Sequence, residues 1–154
     1  MTSLAQASDI YVMPEHPSER GGLARLATLI NQQRAAHPDS VLMNVGDTFH
    51  GGAEALFTLG NAIVDPVNAL GIDVGVPGNW DFGYSSVVFR LRYTDEPQAG
   101  IFGRADPLTP KFDVIKKPNF PNLAANLTHS IDGSLVLPAT LHITAVPLPC
   151  IEIR

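Results

Sequence analysis

Apolar positions first recur at helical spacing at Leu23, Leu26, Ala27 and Ile30, with Arg25, Gln32, Gln33 and Arg34 mostly elsewhere on the wheel. This predicts a helix that stops before Pro38, because the residue ahead of a proline avoids the helical region. Ser40 to Val45 is a nearly continuous apolar run, the pattern of a buried parallel strand. The helical period returns from Ala53 to Leu70 and is broken at Gly60 and Pro66. Two short helices are predicted there, the second capped by Asn61 or starting at Asp65-Pro66 with proline in its first turn. Gly71 closes that segment, and a short apolar strand, Ile72 to Val76, follows. Ahead of all this, residues 3–8 read as a first strand ending at Asp9-Ile10-Tyr11, then a loop from Met13 to Arg20 closed by Gly21-Gly22. The order strand, helix, strand, helix, strand implies an α/β fold with parallel pairing and right-handed crossovers.

Beyond Tyr84 the pattern is less regular. Val87 to Leu91 predicts a short helix, and Thr94 to Pro118, with four prolines at 97, 107, 110 and 118, reads as irregular. Leu123 to Leu127 reads as a fourth buried strand, Asp132-Gly133 as a turn, and Leu135–Leu137, Leu141–Val146 and Ile151–Ile153 as β-leaning segments.

Composition narrows the function classes. A hydrophobic fraction of 45% against 16% charge marks a folded chain rather than a disordered one. Net charge of −5 with no basic stripe gives no electrostatic footing for a nucleic-acid polymer. No run reaches the length of a membrane-spanning helix, and the first residues lack the basic and apolar regions of a signal peptide. A single cysteine, Cys150, rules out an internal disulfide and a thiolate-rich zinc cage.

The candidate chemistry lies at strand ends. Asp47 follows Gly46 directly after the Ser40–Val45 run, and Asn79 follows Gly78 just past the Ile72–Val76 strand. A parallel sheet opens its crevice at the carboxyl ends of its strands, so both side chains would meet there. A carboxylate can bridge two metal ions, and an amide oxygen can ligate a hard cation without adding charge. Asp47 reads equally as a cap of the turn that follows it, and Asn79 as a turn former. Asp9 would be a third such oxygen, at the end of the first strand. Of the five histidines, His16, His37, His50, His129 and His142, none forms a zinc-protease pair; His50 lies three residues after Asp47 and reads as a loop residue or a neighbour of the same crevice. Nucleophile-elbow, phosphate-loop and dinucleotide motifs are not found in the sequence, and Asn126-Leu127-Thr128 matches a glycosylation sequon.

Four segments, in order, resemble the 5′-nucleotidase branch of the calcineurin-like metallophosphoesterases. Gly21-Gly22-Leu23-Ala24-Arg25-Leu26-Ala27-Thr28-Leu29-Ile30 is similar to that branch's first helix, and Asn44-Val45-Gly46-Asp47-Thr48-Phe49-His50-Gly51 to its GD-x-x-x-G motif. Gly78-Asn79-Trp80-Asp81-Phe82-Gly83-Tyr84 stands in the place of GNHEFDYG, and Phe120-Pro121-Asn122-Leu123-Ala124-Ala125-Asn126 in that of FPxLxAN. The resemblance implies an α/β-β/α sandwich with mainly parallel strands and a two-metal hydrolase of phosphoesters or nucleotides, using Mn²⁺, Zn²⁺ or similar ions. It makes Asp47 the bridging ligand, Asn79 a ligand of the second metal and Asp9 a ligand of the first. Tyr11 takes the place of a histidine ligand, and a phenol ionises only near pH 10 unless a metal lowers it.

Two departures bear on function. Trp80 stands where the family has the histidine that stabilises the leaving oxygen, and Gly83 where that histidine has its partner aspartate. An indole donates one N–H but transfers no proton. A tryptophan at this place also resembles the dimanganese thiosulfohydrolases of sulfur oxidation, which implies a sulfur ester as the alternative substrate. The family's remaining histidine ligands lie further downstream than these residues extend. On that reading, residues 1–154 are the truncated N-terminal half of the domain, with core motifs at 9–127, end strands at 128–154, and the C-terminal half as a missing partner. A non-catalytic fragment is the third expectation. The family is mostly exported or periplasmic.

Overall fold

A computed structural model of the protein describes residues 10–13, 16–96, 114–143 and 151–153. Its centre is a parallel pairing of β3 (Met43–Asn44) with β4 (Val74–Gly75), Met43 opposite Val74 and Asn44 opposite Gly75. A third segment joins on the far side of β4 through a parallel bridge between Gly75 and Asn122. There the Gly75 N–H donates to Pro121 O and the Leu123 N–H to Gly75 O, both at 2.9 Å. Since all three segments run the same way, their carboxyl ends, near residues 46, 77 and 124, open on one edge. The α/β reading with parallel pairing is thus met in the centre of the fold.

Helices supply the layer against this sheet. Helix α1 (Leu23–Ala36) ends at His37, ahead of Pro38 as expected, and lays Leu23, Leu26, Ala27 and Ile30 half-buried on the core. Helices α2 (Ala53–Phe57) and α3 (Asn61–Asn68) meet at Gly60, whose φ of 86° reverses the chain between them. Helix α3 therefore starts at Asn61, and Pro66 lies inside it rather than in its first turn. Ile63, Val64 and Val67 of α3 join Phe49, Ala55, Leu70, Ile72 and Phe120 in the main core. Helix α4 (Ser86–Tyr93) is longer than the predicted Val87–Leu91, because the Ser85 side chain caps it by accepting from the Val88 N–H. Its Val88 and Leu91 pack with Ile115 in a second cluster. The buried Arg92 guanidinium lies 4.7 Å from the Phe49 ring centre and donates to the Lys116 and Leu59 carbonyls, tying α4 to segment 114–118. Burial lowers the Arg92 pKa from its ordinary value.

Several expectations are corrected. The stretch read as a loop from Met13 to Arg20 contains strand β2 (His16–Gly21), antiparallel to β1 (Ile10–Met13), with Tyr11 opposite Arg20. Polar composition argued for a loop, but a neighbouring strand satisfies backbone groups whatever the side chains. Among the described residues β1 pairs with β2 and not with the parallel pair. The predicted strand at 3–8, and Asp9 at its end, lie outside the described residues. The Ser40–Val45 run is not buried throughout: Met43 and Val45 are exposed and Asn44 between them is buried. Strand alternation turns the amide inward, where it donates to Thr48 Oγ1 at 2.7 Å and accepts from the Gly46 N–H at 3.3 Å.

The fourth strand predicted at Leu123–Leu127 reduces to the Asn122 bridge followed by a turn at 125–126, and Leu135–Leu137 to a bridge between Thr128 and Leu135. The Asp132-Gly133 turn is present, with Asp132 Oδ1 accepting from the Ser134 N–H at 3.0 Å and Gly133 at φ 71°. Strand β5 (Leu141–Ile143) pairs antiparallel with β6 (Ile151–Ile153). No helix among the described residues is long and apolar enough to cross a membrane.

The core makes a direct stability prediction. Leu70 is 6% exposed at the end of α3, and Leu70→Ala should cost about 2–5 kcal/mol through lost burial and a residual cavity. Urea unfolding, with the denaturant slope unchanged, is the check.

Candidate metal centre at the ends of the parallel strands

The chain leaves β3 through two residues in the left-handed region, Gly46 at φ 86° and Asp47 at φ 55°. A side chain at Gly46 would meet the neighbouring loop, its Cβ falling 2.6 Å from Gly78 Cα. A Cβ on Gly78 would fall 2.7 Å from Asp47 N and closer still to its carboxylate. The loops after β3 and β4 therefore touch backbone to backbone, and only glycine fits at either contact point. Asp47 itself is a residue type that tolerates this conformation, at a modest cost that the surrounding bonds must hold.

Those bonds converge on two carboxylates. Asp47 Oδ1 accepts from the Trp80 N–H at 2.8 Å. Asn79 lies between Gly78 and Trp80, opens the 3-10 turn Asn79–Phe82, and is exposed. The structure thus brings two predicted site residues, Asp47 and Asn79, to one place. The carboxylate of Asp81 sits behind them, 7% exposed. Its Oδ2 accepts from the Asp47 N–H at 2.8 Å and the Gly78 N–H at 2.7 Å, and its Oδ1 from the Thr48 N–H at 3.2 Å. Asp81 was not singled out from the sequence. An acidic residue three positions after Gly78, the residue before the turn, is the capping signature that could have found it.

Tyr93 completes this arrangement. Burial raises its pKa well above the ordinary value, and the charge of Asp81 and a hydrogen bond to it raise it further. The phenol therefore stays protonated beside Asp81. Phe82 stacks on Phe89 of α4 at 4.0 Å, which fixes the far end of the 3-10 turn.

Trp80 is 58% exposed, its ring 5.4 Å from that of His50 and tilted by 38°. His50 Nε2 is buried and has no hydrogen-bond partner among the described residues. His50 lies in the loop after Asp47, as its first reading has it, with its ring beside that of Trp80. The side chain of Tyr11 and the whole of Asp9 lie outside what is described. On the other side of the Pro77–Asn79 turn a cleft of about 460 Å³ runs between residues 76–79 and 123–127 and reaches Ala139.

These side chains can be tested against a divalent ion. Among the described residues no group of three or more His, Cys, Asp and Glu side chains converges as a metal cage. Hard cations prefer oxygen ligands and take several. Asp47, whose second carboxylate oxygen has no donor among the described residues, and Asn79, with its amide oxygen, fit as two of them. Trp80 presents only an N–H and cannot ligate.

The Asp47 and Asn79 turns follow the ends of two parallel strands in an α/β fold, and comparison with known families identifies the domain. The calcineurin-like phosphoesterase family profile matches residues 2–137, and the chain belongs to that family. It is 34% identical over 107 residues to the 5′-nucleotidase of Bos taurus and, over the same length, to a snake venom 5′-nucleotidase of Gloydius brevicauda. Each match covers 70% of this chain and 15% of the relative. The 2′,3′-cyclic-nucleotide 2′-phosphodiesterase/3′-nucleotidase of Haemophilus influenzae is 32% identical over 85 residues, 50% of this chain and 13% of that protein. The matched part is thus a small fraction of these relatives' length.

Gly78→Ala tests the backbone contact. Its φ of −93° suits alanine, so any effect comes from crowding. The new methyl should displace the Asp47 carboxylate and free the Trp80 N–H. Faster hydrogen exchange at the Trp80 amide, with secondary structure intact by circular dichroism, is the expected result.

Proposed function

We propose that this protein carries the bridging part of a two-metal phosphoester hydrolase centre of the 5′-nucleotidase type, with Asp47 as the bridging ligand and Asn79 as a ligand of the second ion. The observation that carries the proposal is the contact of the Asp47 carboxylate with Gly78 and the Trp80 N–H, which sets the Asn79 turn beside it. Asp9, which precedes Ile10 in the sequence, is assigned to the first ion, with Tyr11 in the place of a histidine. Two divalent ions held there would polarise the phosphoryl oxygens and supply a nucleophilic water at neutral pH. The chain's own part is to hold its oxygens at fixed positions. The Trp80 N–H occupies Oδ1 of Asp47 and so orients the free oxygen. Small phosphoesters or nucleotides are the substrate class, supported by the names of the relatives, and the snake venom relatives support an exported setting.

Trp80 favours a second reading, with a sulfur ester or thiosulfonate as substrate. Its indole cannot protonate a leaving oxygen, and its exposure leaves the ring open to a bound group.

The test uses the natural full-length gene product with Mn²⁺. Hydrolysis of p-nitrophenyl phosphate and nucleotides is expected, and Asp47→Ala should lower it by more than the roughly 10–100-fold that losing an outer-shell partner costs. Unchanged activity in Asp47→Ala would sink the proposal. Trp80→His separates the substrates: it should raise phosphatase turnover if phosphoesters are native, and lower turnover of thiosulfonates if sulfur substrates are. Absence of Mn²⁺ binding and of turnover on either class would leave a non-catalytic protein.

A further inference from the structure

The strongest unassigned group near the centre is the buried carboxylate of Asp81. It accepts three backbone N–H groups drawn from two loops, Asp47 and Thr48 after β3 and Gly78 after β4. The loops are 33 and 34 residues apart in sequence at these bonds, so local chain geometry does not hold them together. These three N–H groups compensate the charge of Asp81 despite its burial. Remove it, and three N–H groups lose their acceptor at the contact where Gly46 and Gly78 exclude any other side chain.

We propose that Asp81 is the positioning residue of this centre: it clamps the Asp47 and Gly78 loops together and thereby sets the Asp47 carboxylate against the turn that carries Asn79. It touches no substrate and acts through the two residues in front of it. The proposal deepens the ligand assignment of Asp47 and Asn79 and rests on it. Outer-shell partners of metal ligands commonly govern affinity by about 10–100-fold. Asparagine is the informative replacement, because its NH₂ would face at least one backbone N–H and lose that bond while keeping the volume.

The experiment compares wild type, Asp81→Asn, Tyr93→Phe and the core variant Leu70→Ala, which lies outside the two loops. Two quantities are read at a temperature where each variant is folded: amide hydrogen exchange at residues 47, 48 and 78, and Mn²⁺ affinity by calorimetry. Asp81→Asn should speed exchange at those three amides by about tenfold or more and weaken Mn²⁺ binding by about 10–100-fold, whereas Leu70→Ala should change neither beyond its global loss of stability. Tyr93→Phe should shift both in the same direction by less, and it decides the matter if Asp81→Asn does not fold. Equal behaviour of Asp81→Asn and Leu70→Ala, or wild-type exchange in Asp81→Asn, overturns the proposal. Wild-type protein that binds no Mn²⁺ overturns the ligand assignment instead, and exchange at the three amides then decides the clamp alone.

Discussion

Two backbone segments meet in this protein with no side chain between them, and the centre of the molecule depends on that contact. Gly46 and Gly78 close the gap, and the left-handed turn at Gly46-Asp47 points the aspartate across it. Close approach concentrates N–H groups, and concentrated donors need an acceptor. Asp81 is that acceptor, with Oδ2 shared between the two loops. The electrostatics and the sterics are therefore one arrangement: small residues permit the approach, and a buried anion holds it.

The rest of the fold serves this arrangement by fixing its ends. Parallel pairing of β3, β4 and the Asn122 segment brings three carboxyl ends to one edge, which is where such sheets place their ligands. Helix α4 anchors the 3-10 turn from behind, through Phe82 on Phe89 and through Tyr93 to Asp81. Membership in the calcineurin-like phosphoesterases follows from a match over most of the chain. Trp80 bonds Asp47 through its backbone N–H, while its indole offers no proton relay.

The hydrophobic pattern made α1 legible through its full length, because its apolar face and Pro38 are both local signals. The pair of helices either side of Gly60 was legible for the same reason. Strand β2 was not: His16–Gly21 is polar, and only its pairing partner makes it a strand. The inward turn of Asn44 was also hidden, since an apolar run does not say which of its residues the sheet alternation will face inward.

By itself the sequence determined the family scaffold and the two oxygen-bearing positions, Asp47 and Asn79, because each follows a glycine at the end of an apolar segment. Those are short-range features that any reading of neighbours recovers. Only the tertiary structure decided that Asp81 faces both loops, that Tyr93 stands behind it and that His50 lies against Trp80. Asp81 accepts there from residues 33 and 34 positions earlier in the chain, and that meeting is set by the parallel register of the strands, which no local pattern encodes.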